Sequence, residues 1–221
     1  MSRAITGLFI ICTLAALGCA ERRAQETLTP IRSTISVSGG LIEGEIAETG
    51  LRTFMSVPYA AAPVGELRWA PTATVIPWEG VLPAKEAGPA CMQPEGLGGD
   101  FYGETGIEMD EDCLFLNVWT RAKNEEDKLP VMVWIHGGAL VTGQGSTYPG
   151  DLLTSKGVVL VTVNYRLGRF GFFAHPELTD ENPNKVSGNQ GLRDQIASLK
   201  WVRENIERFG GDPDNVTIFG E

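Results

Sequence analysis

The chain has 221 residues, 43% of them hydrophobic, enough to bury a sizeable core. Charged residues make up 21%, and a formal net charge of −10 argues against nucleic acid as a partner. Acidity otherwise reports solubility and by itself selects no binding role.

Residues 1–20 read as an export signal. Arg3 supplies the positive end, Ile5 to Leu17 is a short apolar run, and Gly18-Cys19-Ala20 offers small residues for cleavage. The run is shorter than the ~20 apolar residues a membrane-spanning helix needs. Leu17-Gly18-Cys19 also resembles the lipobox of bacterial lipoproteins, with Ala16 where that box prefers Leu. Two exported forms therefore stay open: secreted or periplasmic, or held at the membrane surface by a lipid on Cys19. Residues 21–32 form a polar tether, and the folded domain starts at Ser33.

With Cys12 in the signal and Cys19 used at cleavage or lipidation, Cys91 and Cys113 remain. They are either two buried thiols or a disulfide, and an oxidising compartment favours the bridge. It would contribute roughly 3 kcal/mol by restricting the unfolded chain.

From Ile35 to Val57, short strand-like runs alternate with Gly39-Gly40 and Thr49-Gly50, the punctuation of hairpins. A stretch through Pro58, Pro63, Pro71, Pro77 and Pro83 predicts irregular surface loop. Leu114 to Trp119 predicts a strand, followed by a charged turn from Lys123 to Lys128. Val131–Ile135 and Val158–Val163 are near-continuous apolar runs, as expected of strands buried on both faces. A short helix is expected around Asp151 to Ser155, and a long loop follows the second run. From Gln190 to Phe209 the period is helical, and Leu192, Ile196, Leu199, Val202 and Ile206 predict one apolar stripe. Gly210-Gly211 ends the helix, and Asp212-Pro213 turns into a strand from Val216 to Phe219. Strands alternating with helices predict an α/β fold with a mostly parallel central sheet.

Two corners carry chemistry. His136-Gly137-Gly138-Ala139 follows a buried strand, and small residues there leave backbone N–H groups free to point into a cleft. Loops of this type supply oxyanion-hole donors in lipases and esterases, the plainer reading being a glycine turn. The second corner is Gly220-Glu221 at the end of the last strand, the approach to a G-x-S-x-G nucleophile elbow. The nucleophilic serine is expected directly after Glu221. No metal site is expected, since the two histidines, His136 and His175, lie far apart and no C-x-x-C or H-E-x-x-H occurs. Phosphate-binding glycine frames are likewise absent.

Together these segments resemble the type-B carboxylesterase and cholinesterase family of α/β-hydrolases. Glu111-Asp112-Cys113-Leu114-Phe115-Leu116-Asn117-Val118 is similar to one of its signatures, and Phe209-Gly210-Gly211-Asp212-Pro213 through Gly220-Glu221 to the other, cut before its serine. Pro58-Tyr59-Ala60, Gly65-Glu66-Leu67-Arg68-Trp69, Asn164-Tyr165-Arg166-Leu167-Gly168 and Gly191-Leu192-Arg193-Asp194-Gln195 add to the resemblance, which runs from about Ser33 onward.

The resemblance implies an incomplete α/β-hydrolase fold, with a small N-terminal sheet and the first strands of the central sheet. It implies a cofactor-free serine hydrolase of small-molecule carboxylic esters in the complete protein, with this stretch inactive alone. Gly138 and Ala139 match the oxyanion donors, with Gly137, Gly220 and Glu221 supporting them. Ala139 replaces the last glycine of a commoner triple-glycine loop, keeping the N–H but adding a methyl. Cys91 and Cys113 match the family's first disulfide, and Arg68 and Glu111 a buried ion pair. Glu221 matches a carboxylate that orients the catalytic histidine and its neighbouring water. The triad runs in chain order Ser, acid, His, so acid and base are expected beyond Glu221. His136 is then expected to brace the glycine loop, His175 to be a packed loop residue, and Asp194 to bond backbone or a nearby Arg. The alternative is a non-catalytic binding or adhesion protein on the same scaffold.

Overall fold

The computed structural model describes residues 32–94 and 107–221; the segments expected as export signal and most of the tether, with Cys12 and Cys19, lie outside the described residues. The first runs form two antiparallel hairpins. β1 (Thr34–Val37) pairs with β2 (Gly40–Glu43), burying Ile35, Val37 and Ile42, and β3 (Glu45–Ile46) pairs with β4 (Arg52–Pro58). β5 (Val81–Pro83) adds in parallel to β2 and completes a small three-stranded sheet.

Between β4 and β5 the proline-rich segment is irregular apart from one 3-10 turn, Gly65–Leu67, and an antiparallel bridge between Ala60 and Thr74. Side chains from later in the chain pin it down. Arg166 donates to the Ala70 carbonyl at 2.9 Å, and Gln190 to that of Trp69 at 2.8 Å. β6 (Ala90–Cys91) and β7 (Met109–Asp110) then make a short parallel pair.

β8 (Phe115–Thr120), β9 (Leu129–Ile135), β10 (Val159–Val163) and β11 (Gly211–Gly220) form a six-stranded sheet with β4 and β3, in the order β11-β9-β10-β8-β4-β3. Parallel pairing is confined to β11, β9 and β10, and the N-terminal half is antiparallel. Every residue of β10 is buried, Thr162 included, as its near-continuous apolar run predicts, whereas in β9 only Val131 and Val133 are buried. Around it Leu116, Val118, Val131, Val133 and Val161 are fully enclosed, and Phe54 meets Phe209 edge to face at 4.9 Å.

Helix α1 (Asp151–Thr154) links β9 to β10. The stretch expected as a long loop after β10 contains two short helices, α2 (Gly168–Phe172) and α3 (Pro176–Glu181). Each is too short to show a helical repeat. Helix α4 (Gln190–Asn205) passes through a 3-10 turn, Ile206–Phe209, into Gly210, whose φ of 79° is the left-handed stop that glycine supplies.

The expected apolar stripe holds only for its second half: Val202 and Ile206 are buried and Leu199 packs on the core, whereas Leu192 and Ile196 are 43% and 53% exposed. Asp194, Ser198, Trp201 and Asn205 are buried instead. Polar anchors set this rotation. Asp194 takes both Nε and Nη2 of Arg166 at 2.8 Å, the Arg166 amide at 3.1 Å and the Thr72 hydroxyl at 2.5 Å. At the other end Asn205 accepts from the Ser38 amide at 2.9 Å.

Candidate active site

β11 and β9 run parallel in register, Phe219 beside Trp134 and Gly220 beside Ile135. The residues that follow, Glu221 on one strand and His136-Gly137 on the other, therefore emerge at the same edge. Contact there is close. A Cβ built on Gly137 would lie 2.5 Å from Glu221 Cγ and 3.0 Å from its Oε1, so only glycine leaves room for the carboxylate. Tyr148 holds that carboxylate from the other side, its hydroxyl donating to Oε1 at 3.0 Å. The Tyr148 ring packs on Trp134 at 4.9 Å, and Trp134 packs on Phe219 at 4.8 Å.

Beyond Gly137 the backbone turns left-handed for three residues: φ is 94° at Gly138, 55° at Ala139 and 62° at Leu140. Ala139 and Leu140 carry side chains in a region that disfavours them by about 1–2 kcal/mol each. The Gly138 carbonyl accepts from the amides of Val141 at 3.0 Å and Thr142 at 3.1 Å, and the Leu140 carbonyl from Gly168 at 2.7 Å. The amides of Gly138 and Ala139 donate to no protein acceptor among the described residues, and Ala139 is exposed. Two adjacent donors at an exposed rim, beside a carboxylate, can receive an oxygen that acquires negative charge.

His136 lies under this loop and is 2% exposed. Its Nδ1 is 2.9 Å from the Gly137 carbonyl, which can only accept, so that nitrogen carries the proton. The ring stacks on Tyr165 at 4.4 Å, and the Tyr165 hydroxyl donates to the His136 carbonyl at 2.7 Å. Burial pushes the imidazole pKa down to about 4, against the weaker pull of the Gly137 bond and the Glu221 charge. His136 is thus a neutral brace for the glycine loop at physiological pH. His175 is exposed rather than buried: its ring stacks on Phe173 at 5.9 Å, and it caps α3, with Nδ1 accepting from the Glu177 amide at 3.3 Å. A helix start needs such an acceptor, and a solvent-facing imidazole supplies it.

The remaining sequence-predicted residues lie away from this rim. Cys91 and Cys113 form a disulfide in the core. Arg68 and Glu111 form a two-pronged ion pair with both bonds at 2.5 Å, but their side chains are 41% and 20% exposed, so the pair is not buried as expected. Among the described residues the buried pair is Arg166–Asp194, at 4% and 0% exposure.

Two side chains that sequence reasoning did not single out also touch the site, Tyr148 and Gln93. Gln93 accepts from the Gly143 amide at 2.8 Å and donates to its carbonyl at 3.0 Å. Neither lies in a spacing pattern, and no signal in a single sequence distinguishes them.

Comparison with known proteins gives this geometry its context. The family model described as "Carboxylesterase family" matches residues 32–221. A Fumonisin B1 esterase from Sphingopyxis macrogoltabida is 46% identical over 184 residues, covering 82% of this chain and 33% of that protein. The Para-nitrobenzyl esterase of Bacillus subtilis is 47% identical over 193 residues, covering 85% of this chain and 37% of its own length. Among solved structures, a PNB esterase superposes with a TM-score of 0.77 at 45% identity, covering 86% of this chain and 38% of that one. A Geobacillus stearothermophilus carboxylesterase superposes with a TM-score of 0.73 at 42% identity, covering 86% and 38%. The chain thus spans little more than a third of the length of the relatives it matches, and its sheets are part of an α/β-hydrolase fold. The chain belongs to the carboxylesterase family.

Proposed function

We propose that the protein is an exported hydrolase of small-molecule carboxylic esters, working through a serine acyl-enzyme, and that residues 1–221 supply its oxyanion loop but not its triad. A serine on the turn after β11 would attack the ester carbonyl carbon while an imidazole takes its proton. The carbonyl oxygen, now an alkoxide, would rest on the Gly138 and Ala139 amides, each such donor being worth about 3 kcal/mol in comparable sites. Collapse would expel the alcohol, and water would then release the acid. Glu221, seated on Gly137, would orient the imidazole and its neighbouring water.

One observation carries this reading: the Gly138 and Ala139 amides, which donate to no protein acceptor among the described residues, directly follow Gly137, and Gly137 packs against the Glu221 carboxylate at the end of the neighbouring strand. The chain's two histidines are otherwise committed. His136 is buried and neutral, and His175 caps an exposed helix, which supports a base supplied from beyond Glu221. Residues 1–221 alone are therefore expected to lack ester turnover. The disulfide supports export, with Cys19 as the candidate lipid attachment point.

The test is p-nitrophenyl acetate hydrolysis by the protein extended past Glu221 and by residues 1–221 alone. The extended protein should turn over and lose activity to a serine-directed phosphonate, while residues 1–221 should be inert. A folded extended protein without turnover would instead favour the non-catalytic binding role. Mass spectrometry of the mature N-terminus separates a lipidated Cys19 from a secreted form.

A further inference from the structure

We propose that Gln93 is a positioning residue for the oxyanion loop, clamping Gly143 and so holding the strained Gly138–Leu140 backbone with its amides outward; this rests on the oxyanion reading above.

Left-handed runs with two non-glycine residues relax unless their surroundings over-determine them. Within the loop, the Gly138 carbonyl is tied to Val141 and Thr142. From outside it, the Gly168 amide bonds the Leu140 carbonyl and Gln93 bonds Gly143. The Gln93 restraint is the more specific. Its carboxamide oxygen takes the Gly143 N–H at 2.8 Å, and its NH2 group gives to the Gly143 carbonyl at 3.0 Å and to the Cys91 carbonyl at 3.1 Å. A primary amide is the side-chain group that accepts and donates along one edge in this way. Asparagine would be a methylene too short, and glutamate would lose both donors.

Gly143 transmits the restraint. Its φ is 112°, and any side chain there would run into the His136 imidazole, so Gly143 lies flat on the ring that leads into the loop. Gln93 is itself anchored, two residues from Cys91, which is buried, paired in β6 and bridged to Cys113. A second amide ties the same two segments. Asn164 accepts from the Gly145 amide at 2.7 Å and donates to the Pro89 carbonyl at 3.2 Å. The loop that carries the donors is therefore held in shape from the disulfide corner.

The test uses the full-length enzyme with Gln93→Leu, which keeps the volume and removes all three bonds, and Gln93→Glu, which keeps only the acceptor. Steady-state kinetics are read with inhibition by a trifluoromethyl ketone, which forms a tetrahedral adduct, and with hydrogen exchange over residues 138–143. Gln93→Leu should lower kcat by about 10- to 100-fold with KM nearly unchanged, the scale expected when a donor is misplaced by about an ångström. Affinity for the ketone should fall in proportion to kcat/KM, exchange at 138–143 should rise about tenfold while β10 does not change, and Gln93→Glu should fall between. Loss of thermal stability with kcat and ketone affinity within about twofold of wild type would overturn the proposal, as would unchanged exchange in both variants. The exchange arm needs no turnover. Faster exchange in a protein whose wild type hydrolyses no ester would keep the clamp and overturn the esterase reading instead.

Discussion

His136 makes stability depend on pH in a way that can be worked out from its surroundings. The ring is 2% exposed, stacked on Tyr165, and its Nε2 has no hydrogen-bond partner among the described residues. Burial moves its pKa from the ordinary 6.5 to about 4. Between those two values the unfolded chain takes up a proton that the folded chain refuses, so stability is fully present above the unfolded value and is lost as pH falls toward the folded one. At about 1.36 kcal/mol per pH unit, acidification from pH 7.5 to 4.5 should remove roughly 2.5 kcal/mol through this residue alone. Carboxylates titrate in the same window, so the assay is a comparison. Urea unfolding is followed for wild type and His136→Gln at several pH values. The variant starts lower, having lost the ring stack, but its stability should fall less steeply by that amount. Parallel curves for the two proteins would refute the reasoning, as would an NMR titration showing the imidazole protonated at pH 6.

Asp194→Ala should cost about 3–5 kcal/mol in chemical denaturation, because it strands the Arg166 guanidinium without a counter-charge in the core. Glu111→Gln, at the part-exposed pair, should cost less than about 1 kcal/mol; equal losses at the two sites would contradict the burial contrast. Ala139→Gly removes a left-handed strain of about 1–2 kcal/mol and adds roughly 0.5–1 kcal/mol of unfolded-state freedom. It should therefore stabilise modestly, by about 0.5–1 kcal/mol in urea unfolding, and a net loss would refute the account. Gly137→Ala puts a methyl where the Glu221 side chain now sits, so under the proposed esterase function the protein extended past Glu221 should lose about tenfold or more in kcat/KM while keeping its fold.

Much of the fold is legible in the sequence because burial on two faces leaves a plain mark. The run that became β10 is apolar but for Thr162 and is buried on both faces, whereas in β9 only Val131 and Val133 are buried; the glycines before Asp212-Pro213 end a helix for a stereochemical reason. The rotation of α4 is not legible in the same way. Apolar periodicity selects Leu192 and Ile196, yet Asp194, Ser198 and Asn205 face inward. A helix that docks through a carboxylate on Arg166 and an amide on Ser38 breaks the assumption behind the pattern, namely that buried means apolar. The same partner explains why the Arg166 charge can be enclosed at all: four donors, from Arg166 and Thr72, converge on the Asp194 carboxylate.

The site divides along similar lines. Its corners are legible because close backbone approach demands small residues, and small residues after an apolar run are visible in a single chain. The structure adds that Gly137 has its own reason, separate from the turn. Its φ is not in the left-handed region, and what excludes a side chain there is the Glu221 carboxylate. The supports are not legible, since Gln93 meets Gly143 across 50 positions and Tyr148 meets Glu221 across 73. Such contacts are side chain to backbone or side chain to side chain, set by tertiary position and leaving no period. They fall where the local backbone is least able to hold itself. Gly138, Ala139 and Leu140 form no ladder and bury little surface of their own, so their conformation must be imposed from neighbouring segments. A donor pair that had to reorganise as charge developed would lose much of its electrostatic advantage. That is the physical reason to expect distant residues with no chemistry of their own, Gln93 foremost, to bear on the rate.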